Sequence, residues 1–283
     1  MKRKDFLVAF TLAFFAVTAA YAQTADEFMK SGRAALDRRD YNKAIADLTE
    51  SIRLRPYYYA YLLRAIAYNR GDFLGGNPLA LADFSEAIRL NPNYAHSYYS
   101  RGIMYNQFGE KDSALADFTR YLHFRPNDAD AYYERAYIYL RDKKDYDRAV
   151  ADFTKAIQLS TDNARIKHIY VTLLNHYSNI KDFNGFITMC NQMASKFPND
   201  FYLFNVRGSG YLRMDEYDRA IAEFNESIRL DPNAYGVYDN RGLAWYKKGD
   251  YKQARADVNR ALQLMPDNLN AKDLDAELKK KGY

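Results

Sequence analysis

Few residues in this chain could carry out chemistry. Cys190 is the one cysteine among 283 residues, so neither an internal disulfide nor a cysteine-based zinc cluster can form. His168 and His176 could share a helix face. They lack cysteine or carboxylate partners at ligand spacing, and no metal site or cofactor is expected. Gly208-Ser209-Gly210 resembles a fragment of a phosphate loop, but it falls inside a helical pattern with no strand before it. No Gly-x-Ser-x-Gly or His-Glu-x-x-His motif occurs, and no catalytic residue is assigned. What does recur is charge in register. Arg64, Arg101, Arg135, Arg207 and Arg241 hold one position of a repeated pattern, and Asp47, Asp83, Asp117, Asp152, Glu223 and Asp257 hold another. Arginine and carboxylate make strong, geometry-fixing pairs. The expectation is a structural ladder within or between neighbouring units.

The elements behind that register are legible as a repeat. Proline falls at Pro56, Pro92, Pro126, Pro198, Pro232 and Pro266, with gaps of 36, 34, 72, 34 and 34. Gly32, Gly102, Gly208 and Gly242 keep the same phase, with Ala65 and Ala136 as weaker copies. Small residues follow at Ala44, Ala80, Ala114, Ala149, Ala220 and Ala254, then large apolar ones at Leu48, Phe84, Phe118, Phe153, Phe224 and Val258. Each unit shows two stretches of helical spacing. Gly208 and Ala220 are small because two helices cross there. A single unit cannot bury its apolar stripe, so neighbours must stack.

The run Asp215-Glu216-Tyr217-Asp218-Arg219-Ala220-Ile221-Ala222-Glu223-Phe224, with Gly208 and Tyr211 before it and Leu230-Asp231-Pro232-Asn233 after it, resembles the tetratricopeptide repeat family. The resemblance covers about 25–267 and implies an all-α fold, a right-handed superhelical solenoid of about seven helix-turn-helix repeats. The repeats are expected at 25–57, 58–94, 95–128, 129–162, 163–200, 201–234 and 235–268. They make up a solenoid over 23–268, followed by a capping helix and tail over 269–283 with an apolar stripe of Ala271, Leu274 and Leu278.

The resemblance also implies a concave groove lined by the first helices. Carried over position by position, it gives Tyr59, Leu62, Ile66 and Asn69, then His96, Tyr99, Ile103, Asn106 and Gln107, then Asp130, Tyr133, Tyr137 and Arg141. Further along it gives His168, Asn175, Ser178 and Asn179, then Tyr202, Asn205, Ser209 and Arg213, and finally Asp239, Leu243, Tyr246 and Lys247. Tyrosine offers large contact area with a polar tip, and asparagine both donates to and accepts from a peptide backbone. The expected function is a non-enzymatic scaffold that binds an extended peptide or helix of a protein partner. A small-molecule or glycan binder using the same groove is the alternative. Some of these tyrosines could instead pack between adjacent first helices. The lysine and asparagine pattern that grips acidic tails of heat-shock chaperones is missing, since Leu62, Ile66, Tyr99 and Ile103 stand at those sites.

Composition agrees with a folded binder. The net charge of +5, part of which sits in the first 22 residues, is too small an excess for a nucleic-acid protein, and no nucleic-acid partner is expected. Residues 1–22 read as a signal peptide: a basic start at Lys2, Arg3 and Lys4, an apolar run Phe6 to Val17, and a small-x-small site ending at Ala22. An uncleaved anchor is the alternative, and would be the one membrane contact. The protein is therefore expected to be exported, to a bacterial periplasm or beyond, with an envelope component as partner. Three departures stand out. An insertion runs from Leu74 to Pro78, and the fourth repeat has one extra residue near Lys143-Lys144-Asp145. In the fifth, Leu174, Phe186 and Cys190 replace the usual glycine, alanine and aromatic residue, which reads either as a hinge or as drift.

Overall fold

The computed structural model describes residues 24–71 and 78–283. The expected signal peptide and the inserted residues Leu74 to Asn77 lie outside them. Among the described residues every regular element is a helix. The chain forms two compact units, one ending at Ser160 and the other running from Thr161 to Tyr283. The first holds α1 (24–37), α2 (Tyr41–Leu54), α3 (Tyr58–Gly71), α4 (Pro78–Leu90), α5 (Ala95–Gln107), α6 (Lys111–Phe124), α7 (Ala129–Ile138) and α8 (Tyr146–Leu159). The second holds α9 (Asn163–Asn179), α10 (Phe183–Lys196), α11 (Phe201–Arg213), α12 (Tyr217–Leu230), α13 (Tyr235–Lys248), α14 (Tyr251–Leu264) and α15 (Leu269–Lys280). Odd and even helices pair as hairpins, and within each unit successive hairpins stack.

Aspartates start many of these helices. Asp40, Asp145, Asp182 and Asp250 precede second helices and accept from the backbone N–H three residues on; Asp128, Asp162 and Asp200 cap α7, α9 and α11. Each such cap is worth about 1 kcal/mol. The turn between the two helices of a hairpin repeatedly needs a left-handed residue. Gly109 and Gly249 supply it freely, whereas Arg39, Lys144, Lys181 and Asp215 adopt it with φ of 63°, 52°, 58° and 59°.

Close crossings hold the hairpins together. Ala44, Ala80, Ala114, Ala149, Ala220 and Ala254 are fully buried, as are Phe118, Phe153 and Phe224. A Cβ on Gly208 would lie 2.7 Å from the Phe224 ring, and one on Gly32 would lie 2.7 Å from Leu48 Cγ. Larger residues at those positions would force the helices apart.

The fourth repeat absorbs its extra residue at the end of α7. There Tyr139–Lys143 winds as a π-helical turn and closes at left-handed Lys144, whose successor Asp145 donates its N–H to Tyr139 O at 2.9 Å. The fifth repeat keeps two full helices despite its bulky residues. Leu174, Phe186 and Cys190 are all buried. The Phe186 ring lies against α11, where a Cβ on Gly210 would come within 2.7 Å of it. The glycine that accommodates this aromatic ring thus belongs to the following repeat. In α15, Ala271, Leu274 and Leu278 face the core, and Asn268 caps the helix through Ala271 N.

Candidate functional site

The charged register is a set of closed pairs. Arg64 grips Asp83, Arg101 grips Asp117, Arg135 grips Asp152 and Arg241 grips Asp257, each through Nε and Nη2 at 2.6–2.9 Å. Arg207 reaches Glu223 through Nη2 alone, at 2.7 Å, and its buried Nε has no partner. In the first repeat Ser31 replaces arginine and donates to Asp47 at 2.6 Å. The remaining nitrogen of each arginine, Nη1, donates to the second helix of the preceding repeat: Arg64 to Thr49, Arg101 to Ser85, Arg135 to Thr119, Arg207 to Asn191 and Arg241 to Asn225. Sequence reading missed this acceptor series. The signal was present in part: Thr49, Ser85, Thr119 and Asn225 each stand two residues after an acid of the ladder, whereas Asn191 stands two after Met189. Each guanidinium therefore ties its own hairpin together and joins it to the one before. Apart from the Arg207 Nε, the guanidinium nitrogens of these rungs are satisfied within the fold, and the pairs serve architecture.

The groove positions differ in what they offer. In the first unit, rings form a contiguous run: Tyr58 to Tyr94 at 5.0 Å, Tyr94 to His96 at 5.7 Å, His96 to Tyr121 at 6.1 Å, and Tyr121 to Tyr99 at 5.0 Å. Tyr59 meets Tyr94 edge-on at 6.3 Å. Burial, and then the Asp128 carboxylate accepting from its hydroxyl, push the Tyr121 phenol well above its ordinary range. Tyr99 also packs on Phe118, while Tyr133 and Tyr137 pack on each other and on Phe153. Burial, and then the contact with Tyr137, raise Tyr133 to about 12. These half-buried tyrosines cover the core and present only part of each ring. Arg141 lies over the Tyr137 ring at 5.0 Å. His96 is exposed, and Asn69 sits half-buried near the end of α3. Asn106 is already engaged: its Oδ1 accepts from Lys111 Nζ at 2.6 Å. Leu62, expected in the groove, is a core residue only 3% exposed.

In the second unit Asp239 also leaves the groove. It is 7% exposed, and one carboxylate oxygen accepts from Asn268 Nδ2 at 2.5 Å while the other has no partner. Burial raises its pKa above the usual carboxylate value. Asn205 accepts from Asn240 at 2.9 Å, and the Tyr246 ring packs tilted against Tyr251 at 5.4 Å. A cleft of about 170 Å³ opens between α9 and α11. Val171, Leu174, Phe186 and Val206 supply its apolar lining, and Asn175, Ser178, Tyr202, Ser209 and Arg213 its polar lining. The structure thus gathers Asn175, Ser178, Tyr202, Ser209 and Arg213 at one place. His168, Asn179 and Asn205 do not line it. The sequence marks Leu174 and Phe186 only as departures from the repeat, not as site residues.

No group of three or more His, Cys, Asp or Glu able to hold a metal occurs among the described residues. Cys190 is buried, and burial lifts its thiol to about 12, so the reactive thiolate is suppressed.

Tetratricopeptide repeat models match residues 72–129, 129–163, 203–234 and 235–268. The fifth repeat lies outside the matches. YrrB, solved as a TPR protein, is 21% identical, with 68% of this chain and 97% of that one covered and a TM-score of 0.51. A tetratricopeptide repeat protein from Parabacteroides merdae is 20% identical, covers 89% of this chain and 97% of its own, and also scores 0.51. At such identities the likeness speaks for the fold. No curated protein sequence matches. In-register hairpins, matching repeat models and shared fold agree: the chain belongs to the tetratricopeptide repeat family.

Proposed function

We propose that this protein is a non-enzymatic scaffold that binds a segment of another protein on the first-helix faces of its units, and that it works outside the cytoplasm. The observation that carries the reading is the surface chemistry of that face. In the first unit a run of touching aromatic rings from Tyr58 to Tyr99 borders it, and in the second Asn175, Ser178 and Arg213 stand beside exposed Tyr202. Such residues give large contact area and backbone hydrogen bonds at small entropy cost. YrrB is described as carrying an unusual peptide-binding site, and the ligand class is carried over here as a proposal. The cleft between α9 and α11 suits a small-molecule ligand less well, because its volume of about 170 Å³ is below the 300–1,000 Å³ such pockets span. Export rests on the sequence of residues 1–22, and an envelope partner follows from it.

The test is affinity capture from envelope extracts with residues 23–283 as bait, read by mass spectrometry. One stoichiometric protein partner, lost when Tyr99→Ala and Asn106→Ala are combined, is the expected result. Undiminished recovery with that double variant would move the site off the first-helix face. Localisation is checked separately, by fractionating cells that express the whole chain and sequencing the mature N-terminus.

A further inference from the structure

We infer that the cleft between α9 and α11 is a specificity pocket for one apolar side chain, of the size of Phe or Leu, whose neighbour in the bound segment is an acidic residue. The inference rests on the peptide-binding reading and adds the kind of segment bound.

Size comes first. A closed apolar cavity of about 150 Å³ accepts benzene; this cleft of about 170 Å³ is partly open, with Val171, Leu174, Phe186 and Val206 forming an apolar wall beside five polar residues. One aromatic or branched aliphatic side chain fits such a volume. Charge comes second. Arg213 lines the same cleft and is exposed, and its guanidinium donates to the neutral Ser178 hydroxyl. The ladder arginines each hold a carboxylate; Arg213 pairs with none among the described residues. A carboxylate brought to it would gain a charge-assisted pair without breaking an existing ion pair. Complementarity of charge beside an apolar hole selects an acidic residue adjacent to an apolar anchor, and a basic segment would be repelled.

The odd sequence of the fifth repeat has a purpose in this reading. Leu174 and Phe186 take the places where other repeats carry glycine or alanine, and both line the cleft. Regular small residues there would bring α9 and α10 together as in the other hairpins and remove that part of the wall.

The experiment selects twelve-residue random peptides, displayed through their C-termini, against the whole protein. Winners are remade with a fluorophore and an amidated end, so that only internal acids carry a carboxylate. Expected are Phe, Leu or Met next to Asp or Glu, with affinity falling about tenfold or more on Arg213→Glu and on Ser209→Phe, which fills the cleft. The exposed variant Arg89→Ala leaves affinity unchanged, and melting curves confirm that each variant folds. Arg213→Glu should also prefer the same peptides with Lys in place of the acid. Peptides that ignore both cleft variants but are lost with Tyr99→Ala and Asn106→Ala would overturn the pocket and leave the scaffold function standing. Failure to select any peptide would overturn both.

Discussion

Replacing Arg101 with Met removes three hydrogen bonds at one point of the first unit. Two go to Asp117, both at 2.8 Å, and one to Ser85 at 3.0 Å. The side chains are only 19% and 6% exposed, so little water can replace the lost partner. Breaking a buried pair from one side costs about 3–5 kcal/mol, because the other charge is left uncompensated. At about 2–4 °C per kcal/mol for a unit of this size, the lower bound corresponds to a fall of about 6–12 °C in its melting temperature. Combining Arg101→Met with Asp117→Asn should cost clearly less than the two single losses added together, since the stranded charge goes with its partner. The assay is thermal and urea denaturation followed by circular dichroism, with Arg89→Met as the exposed comparison. Arg89 pairs with Glu86 at the surface, where such pairs contribute under about 1 kcal/mol. An Arg101→Met protein that melts like the Arg89→Met one would refute the claim that the pairs fix the hairpins.

Glu223→Asp should stabilise the second unit by about 1 kcal/mol, because the shorter acid matches the two-point grip of the other rungs and reaches the unpaired Arg207 Nε; urea midpoints measure it, and no gain would count against the geometry. Gly208→Ala places a methyl 2.7 Å from the Phe224 ring and should cost about 1–3 kcal/mol, whereas Gly242→Ala, with its nearest atom at 3.3 Å, should cost less in the same assay. Lys144→Gly should stabilise by up to about 1 kcal/mol in thermal melts, since φ of 52° is free for glycine. Asp239 holds its proton more tightly folded than unfolded, so its contribution to stability is fullest below the unfolded pKa and is lost as pH rises through the raised folded value. Asp239→Asn should therefore melt above the parent at pH 7, with the advantage shrinking toward pH 3; a constant difference would show that Asp239 does not titrate on folding.

The repeats and the ladder were readable because each depends on one residue type at one phase. Arg64, Arg101 and Arg241 recur at one phase of the repeat, and their acids at another. The hydrogen-bond acceptors on the preceding helix were not, because Thr49, Ser85, Asn191 and Asn225 share a function without sharing an identity. Leu62 and Asp239 show the opposite failure. Their positions face the groove in an idealised repeat, but local packing draws Leu62 into the core, and the last helix claims Asp239 through Asn268. The cleft was least legible, since residues over forty positions from Val171 to Arg213 contribute to it and its bulk comes from residues that break the pattern.

The second point of attachment on each arginine has a consequence for how such chains change over generations. Wherever the guanidinium reaches backwards, it finds a small neutral acceptor of equivalent reach in the neighbouring block. Duplicating or excising a whole block inside either unit would present the next arginine with another acceptor of that kind, so every backward-reaching Nη1 would still be met. Arrays fastened in this way can lengthen or shorten in whole steps without redesigning the seam, and a new segment-reading surface can arise by copying an old one.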